Sequence, residues 1–224
     1  SLVGGGSFPR PGEISLAHRG VLFLDEFAEF PRGVLESLRQ PLEEGVVTVS
    51  RIKGALEFPA RFMLVAAMNP CPCGYAGDSE RMCACSPFQV EKYRHKLSGP
   101  LLDRIDLHIE VPRQKVEKLQ QEEYTETSQS VRERIQKARV KQQERFEDTT
   151  IHTNAEMSSE QVRRFCQIDE GAKEMLRLAV DRLQLSARGY MRILKVARTI
   201  ADLEESGTIK TLHVGEVLQY RFNE

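Results

Sequence analysis

The stretch Gly20-Val21-Leu22-Phe23-Leu24-Asp25-Glu26 decides the fold, because four consecutive apolar residues run directly into two carboxylates. A short apolar run of this kind is typical of a buried strand in a parallel sheet. Ligands of α/β folds bind at the carboxyl ends of the strands, which is where Asp25 and Glu26 stand. The pattern is short, and a strand that ends in two solvated acids explains it equally well.

A second apolar strand is predicted from Phe62 to Met68, and it ends at Asn69-Pro70. Between the two strands, Pro31 begins a predicted helix and Pro41 distorts its end. Two fully apolar strands with a helix between them predict a parallel sheet that is covered on both faces. We expect a third strand from Leu107 to Val111.

Residues 45–60 alternate between apolar and polar side chains on either side of Ile52-Lys53-Gly54, which predicts a β-hairpin. Its tip carries two basic residues, Arg51 and Lys53. Lysine and arginine are common at exposed turns, so a solvated turn is the simpler interpretation of these residues taken alone.

The residue pattern changes after residue 112, from apolar strands to a polar stretch and then to helical periodicity. We predict three parts: an α/β domain over residues 1–112, a polar linker over 113–127 and an all-α domain over 128–224. Predicted helices in the last part cover 128–146, 176–185, 187–205 and 211–222.

Three local signals refine the helical part. Ser158 and Gln161 have the spacing of a capping box, and Ser186 can cap the long helix that follows it. Arg192, Lys195 and Arg198 share one face of that helix, which predicts a solvated face, with contact to nucleotide or to a neighbour as the alternative.

Four cysteines form a C-x-C-x₉-C-x-C pattern in a loop with little apolar content: Cys71, Cys73, Cys83 and Cys85. Four thiolates in so short a segment suit a tetrahedral structural Zn²⁺ site, although half-sites are usually spaced C-x₂₋₄-C. The alternative is four reduced thiols on a surface loop. Cys166 lies in a predicted helix and is interpreted as an ordinary core residue.

Composition limits the classes of function. The formal net charge of −1 excludes a globally basic nucleic-acid binder, so that any DNA contact must come from local clusters. No apolar run approaches the roughly 18 residues that span a bilayer, and no signal peptide opens the chain. With an odd number of cysteines, we expect a cytoplasmic protein with reduced thiols and no membrane partner.

Further motifs follow the two strand ends in order, namely Gly99-Pro100-Leu101-Leu102-Asp103-Arg104-Ile105-Asp106 and Leu185-Ser186-Ala187-Arg188-Gly189. This ordered set resembles the AAA+ ATPases, in particular their magnesium-chelatase-like branch and its ComM/YifB group. The runs that carry the resemblance are RPGEISLAHRGVLFLDE (10–26), FPARFMLVAAMNPCPCG (58–74), LSGPLLDRIDLHIEVP (97–112) and LSARGYMRILKVARTIADL (185–203). It covers nearly the whole chain and is weakest at 113–127.

The resemblance implies a partial AAA+ core followed by an all-α lid, with ATP and Mg²⁺ as cofactors. Asp25 and Glu26 match the Walker B pair, which coordinates Mg²⁺ and activates water. Asn69 matches sensor 1, Arg104 the arginine finger that reaches the γ-phosphate of an adjacent subunit, and Arg188 sensor 2.

From the residues alone, both arginines have simpler explanations. Arg104 can form an ordinary salt bridge with Asp103 or Asp106, and Arg188 can stabilise the start of a helix. An arginine at a helix start is poorly placed against the helix dipole, which slightly favours a functional reason for Arg188.

The resemblance also implies a hexamer in which the hairpin projects into a central pore, where Arg51 and Lys53 grip DNA phosphates. The implied function is ATP-driven remodelling of single-stranded or branched DNA, as in branch migration during recombination of incoming DNA. The alternatives are a magnesium-chelatase-type ATPase that remodels a protein partner and a non-catalytic interaction module.

The sequence contains no G-x-x-x-x-G-K-[ST] phosphate-binding loop. In the family this loop lies upstream of the first motif found here. We therefore expect a C-terminal part of a longer protein, with an exposed sheet edge and no ATP hydrolysis of its own.

Overall fold

The computed structural model describes residues 2–6, 9–51, 54–78, 80–112 and 126–221. The chain divides into two compact units, Ser1–Ile105 and Asp106–Glu224. We call them the α/β unit and the helical unit. The predicted fold class, a parallel sheet with helices followed by a helical part, is confirmed. Of the predicted linker, residues 113–125 lie outside the described residues.

Among its described residues, the α/β unit contains short helices and three two-stranded pairings. Its elements are β1 Gly4–Gly5, β2 Arg10–Pro11, α1 Glu13–Leu16, β3 Val21–Leu24, a 3₁₀ turn Phe27–Glu29, α2 Arg32–Ser37, α3 Arg39–Glu44, β4 Val46–Arg51, β5 Gly54–Pro59, β6 Met63–Ala66, α4 Pro87–Arg94 and α5 Gly99–Leu102. Strands β1 and β2 pair antiparallel, as do β4 and β5, whereas β3 and β6 pair parallel.

The predicted helix after Pro31 is two helices, because α2 ends at Ser37 and α3 begins at Arg39. Pro41 has no N–H to donate to the carbonyl of Ser37, so a continuous helix would lose that hydrogen bond. Helix α3 ends at Gly45, whose φ of 71° lies in the left-handed region that favours glycine.

Strand β3 is buried on one face only. Leu22 and Leu24 are buried, whereas Val21 and Phe23 are each 59% exposed and Met63 on β6 is 63% exposed. The prediction of a sheet covered on both faces is therefore wrong for the described residues. Successive side chains of a strand point to opposite faces, and the core of this unit lies on one of them. That core includes Ile14, Leu22, Leu24, Phe27, Leu35, Leu38, Val47 and Leu101.

The predicted strand at 107–111 is also wrong, because these residues form no strand in the structure. The backbone N–H of His108 donates to the carbonyl of Tyr220 at 2.7 Å, within the helical unit. Apolar alternation describes side chains only, and a strand also requires a neighbouring strand to pair with. Ile109 and Val111 are accordingly 65% and 86% exposed.

The helical unit consists of five helices over the residues that the structure describes. They are α6 Ser128–Arg145, α7 Ser159–Phe165, α8 Glu170–Leu183, α9 Ala187–Leu203 and α10 Thr211–Gln219, with a 3₁₀ turn at Asn154–Glu156. The predicted caps are confirmed: Ser158 and Gln161 form a reciprocal capping box, and the hydroxyl of Ser186 accepts the N–H of Gly189 at 3.1 Å. In the described part of the chain, no helix combines the length and apolar character needed to cross a membrane.

The basic face predicted to be solvated is wrong in its central feature, because Arg198 is only 1% exposed. Its guanidinium donates to Asp202 at 3.1 Å and to the carbonyls of Gly207 and Ser206 at 2.7 and 2.5 Å. The other two residues of this face also have partners: Arg192 pairs with Asp106 at 3.2 Å and Lys195 donates to the carbonyl of Ala155 at 2.9 Å.

Asp202 lies at the centre of a buried polar network in the helical unit. Its side chain is fully buried and accepts two hydrogen bonds from Arg145, at 2.7 and 2.5 Å. Asn154 donates to it at 2.8 Å, in addition to Arg198. A buried carboxylate requires such donors because an unpaired charge is costly to bury.

Candidate functional site

The ends of β3 and β6 bring three of the predicted site residues to one edge of the parallel pair. Leu24 lies opposite Ala66, so that Asp25 and Glu26 leave β3 where the chain leaves β6 towards Asn69. The pairing continues beyond the strands, because Ala67 donates to Leu24 at 2.9 Å and Phe27 donates to Ala67 at 2.9 Å. The sheet edge therefore carries two carboxylates from one strand and an amide from the other.

Glu26 adopts a strained backbone conformation. Its φ of 49° and ψ of 42° are left-handed, and its N–H donates to Oδ1 of Asp25 at 2.8 Å. A residue other than glycine pays about 1–2 kcal/mol for this conformation, and such strain clusters at functional sites. Both carboxylates are exposed. Exposed carboxylate oxygens are ligands that Mg²⁺ accepts, so the residues present fit the predicted ion.

A tight turn folds back against Asn69. The N–H of Gly74 donates to the carbonyl of Cys71 at 3.0 Å, and Gly74 has a φ of 82°. A Cβ atom added to Gly74 would lie 3.9 Å from Oδ1 of Asn69. The turn that begins the cysteine-rich loop is therefore in contact range of the Asn69 side chain.

The four predicted metal ligands converge in that loop. The sulfur atoms of Cys71, Cys73, Cys83 and Cys85 all lie within 4.8 Å of one another. The closest pairs are Cys71–Cys73 at 3.4 Å, Cys73–Cys83 at 3.5 Å and Cys71–Cys83 at 3.7 Å. All five cysteines of the chain are free thiols, and Cys71 is buried.

The electrostatics of the four thiols are strongly coupled. The backbone N–H of Tyr75 stabilises the thiolate of Cys73 and lowers its pKa to about 6. The N–H of Cys85 favours the thiolate of Cys83, but burial and the neighbouring Cys73 and Cys71 outweigh it and raise the pKa of Cys83 to about 12. Neighbouring negative charges oppose one another, so the cluster gains one thiolate easily and further ones only with difficulty unless a cation is present.

Tyr93 on α4 lies near both the strand end and the cysteine loop, and no sequence motif identified it. It is only 4% exposed, and burial together with the charge and hydrogen bond of Glu29 raises its pKa. The charges of Cys71 and Glu26 act in the same direction. An aromatic residue on a helix is usually interpreted as core, and no sequence pattern distinguishes one that faces two polar groups.

Arg104 is held within the α/β unit by an ion pair with Glu43 on α3 and by a hydrogen bond to the carbonyl of Pro100 at 2.5 Å. The sequence suggested Asp103 or Asp106 as salt-bridge partners, whereas this ion pair is long-range. The guanidinium is 12% exposed, and its Nε is buried with no hydrogen-bond partner among the described residues.

The remaining predicted residues are not brought to the strand ends by anything the structure describes. Arg188 is exposed in the first turn of α9, in the helical unit. The predicted hairpin is confirmed as β4 and β5, paired from Val46 opposite Pro59 to Arg51 opposite Gly54. Arg51 ends β4, and Lys53 lies outside the described residues.

Comparison with known proteins finds relatives whose sequences match nearly the whole chain. It is 49% identical to the competence protein ComM of Haemophilus influenzae and 44% identical to the uncharacterized protein YifB of Escherichia coli, in each case over 99% of its own length. It is 26% identical, over 93% of its length, to the magnesium-chelatase subunit ChlI-2 of Arabidopsis thaliana. The chain spans only 42%, 43% and 44% of these three relatives.

Two family profiles match the chain in order. Residues 1–119 match magnesium chelatase, subunit ChlI, and residues 125–221 match the C-terminal part of the same subunit. The two matches together span both units, and they agree with the resemblance that the strand-end and arginine motifs predicted. The chain therefore belongs to the magnesium chelatase subunit ChlI family.

Proposed function

We propose that this chain is part of a AAA+ ATPase that couples ATP hydrolysis to DNA remodelling, as a helicase or branch-migration motor in recombination and natural transformation. One observation carries the proposal. The parallel pairing of β3 with β6 sets Asp25, Glu26 and Asn69 at one sheet edge, in a chain that is similar throughout to a competence protein.

In this proposal each strand-end residue has one task. Asp25 holds Mg²⁺, which neutralises charge on the phosphates of ATP. Glu26 orients and deprotonates the attacking water, and Asn69 holds that water or the γ-phosphate. The strained backbone of Glu26 and the exposed carboxylates support this assignment.

The two arginines act on the charge of the transferred phosphoryl group. We propose Arg188 as the lid arginine and Arg104 as the finger supplied to a neighbouring subunit of a homohexamer. Because Arg104 is paired with Glu43 in the single chain, delivery to a neighbour requires that this ion pair opens. The buried Nε–H of Arg104 donates no hydrogen bond among the described residues, so it is available as a donor once the ion pair opens.

DNA is the proposed partner, held by Arg51 and Lys53 at the tip of the β4–β5 hairpin. Six copies of these side chains around a pore would form a ring of positive charge that binds phosphates without a basic protein overall. We place the protein in the cytoplasm, where its free thiols stay reduced.

The test uses the longer protein that contains the phosphate-binding loop, with ATP hydrolysis measured in the presence and absence of single-stranded and branched DNA. We expect DNA to stimulate hydrolysis. Glu26→Gln should lower kcat by about 10²–10⁴-fold, the usual size of general-base catalysis. Lys53→Ala should retain basal hydrolysis and lose the stimulation, while Lys53→Arg, the matched control, retains both.

Hydrolysis that is indifferent to DNA would favour the second candidate, a magnesium-chelatase-type ATPase that remodels a protein partner. The family profile and the similarity to subunit ChlI-2 support that candidate. We expect the 224-residue chain alone to show no Mg·ATP hydrolysis, because it has no G-x-x-x-x-G-K-[ST] sequence. Turnover by this chain that Glu26→Gln abolishes would contradict that expectation.

A further inference from the structure

Three of the four clustered sulfur atoms, those of Cys71, Cys73 and Cys83, have the spacing of a tetrahedral zinc site, and the sulfur of Cys85 lies within 4.8 Å of each. Four sulfurs at about 2.3 Å from one ion lie about 3.8 Å from each other. The closest pairs in the structure are separated by 3.4–3.7 Å. A disulfide requires about 2.05 Å. Two-iron and four-iron sulfur clusters divide their four thiolates among two or four irons, so that some pairs of sulfurs lie farther apart than the 4.8 Å found here.

Backbone N–H groups donate hydrogen bonds to three of the sulfurs. Ala76 donates to Cys71 at 3.3 Å, Tyr75 and Ala84 donate to Cys73, and Cys85 donates to Cys83. Such outer-shell hydrogen bonds orient metal ligands and are a regular feature of metal sites. The loop therefore provides the ligands and also the donors that support them.

The loop is held by local polar contacts and buries little apolar surface. The carboxylate of Asp78 accepts the N–H groups of Glu80 and Arg81, and Arg81 donates to the hydroxyl of Tyr75. Cys71 is buried, but Met82 is 93% exposed, and the segment contributes little else to the core of the α/β unit. Ordering a residue costs about 1–2 kcal/mol in backbone entropy. A structural zinc ion supplies folding free energy directly, because its binding site exists only in the folded state.

The position of the loop gives the ion a structural consequence. Cys71 follows two residues after Asn69, and the turn from Cys71 to Gly74 passes close to the Asn69 side chain, because a Cβ atom added to Gly74 would lie 3.9 Å from Oδ1 of Asn69. At the other end, Cys85 directly precedes Ser86, the N-cap of α4. One ion at the four sulfurs therefore ties the end of β6 to the start of α4.

We propose that Cys71, Cys73, Cys83 and Cys85 bind one structural Zn²⁺ ion, and that this ion fixes the turn that passes close to Asn69. The four thiolates close the coordination shell, so the ion holds the loop and has no open position for a substrate. The consequence for Asn69 as a sensor rests on the proposed function, whereas zinc binding does not.

The first experiment measures metal content in the purified 224-residue chain. We expect one zinc per chain by elemental analysis, and cobalt substitution should give the visible bands of a tetrahedral thiolate site. The double variant Cys73→Ser/Cys83→Ser should bind less than about a tenth of an equivalent, since each lost thiolate removes a ligand. Cys166→Ala, which changes the one cysteine outside the cluster, should keep the full equivalent.

Zinc below about a tenth of an equivalent in the wild-type chain, with no cobalt spectrum on reconstitution, would overturn the proposal. One iron per chain in place of zinc would also overturn it. The cobalt titration needs no variant, so it remains decisive if a cysteine variant fails to fold.

The second experiment tests the effect on the turn by hydrogen exchange, with and without a chelator. Removal of zinc should speed exchange in peptides from residues 70–86 by at least about tenfold, because a loop without its ion opens locally. Peptides from α9 should not change. Equal exchange in both states, with zinc shown to be bound, would refute the effect on the turn and leave the ATPase proposal intact.

Discussion

The two units differ in how completely they bury their apolar side chains and provide hydrogen-bond partners for their buried polar ones. In the helical unit, the fully buried Asp202 receives donors from Arg145, Asn154 and Arg198, and the surrounding apolar residues form one core. In the α/β unit, one face of the β3–β6 pair is buried, whereas Val21, Phe23 and Met63 on its other face are exposed.

This difference follows from the hydrogen bonding of the two kinds of element. A helix forms its backbone hydrogen bonds within itself, so it needs only side-chain packing from its neighbours. The five helices of the helical unit provide that packing for one another. A strand needs a neighbouring strand and presents two faces, so a two-stranded pair leaves backbone edges and side chains to be covered. The exposed face of β3, which carries Val21 and Phe23, therefore contributes little to the stability of this chain.

The largest expected effect tests the self-sufficiency of the helical unit. Asp202→Ala leaves the buried Arg198 and the largely buried Arg145 without their carboxylate, and this should cost about 3–5 kcal/mol. The free energy of unfolding of the unit would be measured by hydrogen exchange in α9. Asp181→Ala, which removes an exposed partner of Arg177, is the matched control and should cause no detectable change. Similar behaviour of the two variants would contradict the central role of the network.

The next test separates the two faces of β3. Leu24→Ala removes a buried side chain and should cost the α/β unit about 2–5 kcal/mol, whereas Phe23→Ala should stay within about 0.5 kcal/mol of the wild type. Hydrogen exchange in β3 and β6 gives both values. A large loss for Phe23→Ala would show that this face is covered in solution, and the contrast between the units would then fail.

A third test uses pH to probe the helical core. Burial raises the pKa of Cys166 to about 11, with Asp202 adding to the shift and Arg198, Arg145 and Lys195 opposing it. The unfolded thiol loses its proton above pH ~8.5, while the folded one keeps it. Stability contributed by the thiol therefore falls as pH rises from ~8.5 to about 11, by about 1–2 kcal/mol at pH 10.

Cys166→Ala is the control for this effect, because it removes the titrating group from the same core position. The wild-type unit should lose more stability than the variant between pH 8 and pH 10, as measured by urea unfolding. Parallel pH profiles for the two proteins would show that the Cys166 environment does not exclude water as the structure indicates.

The smallest effect compares two glycines of the α/β unit. Gly45 has a φ of 71°, and a Cβ there would lie 2.8 Å from Cγ of Arg61, so Gly45→Ala should cost about 1–2 kcal/mol. Gly33 in α2 has open space around it, and Gly33→Ala should stabilise by about 0.5–1 kcal/mol. Hydrogen exchange in β4 measures both changes. Changes of the same sign would mean that the end of α3 is misplaced.

The sequence by itself determined the features that depend on neighbours along the chain. Apolar runs predicted β3 and β6, and apolar–polar alternation around a turn predicted the hairpin. The spacing of Ser158 and Gln161 predicted a capping box that the structure contains. The strand ends carrying Asp25 and Glu26 could also be placed in advance. These features follow from backbone periodicity and from hydrogen bonds that span a few residues.

Only the tertiary structure decided which distant groups meet. It buried one face of β3, paired Arg104 with Glu43, enclosed Arg198 with Asp202, and gave the backbone N–H of His108 the carbonyl of Tyr220 as its partner in place of a strand. Each outcome depends on which parts of the chain return to one another in space. A periodic pattern indicates that a side chain or a strand needs a partner, but the identity of that partner depends on which residues the fold brings together.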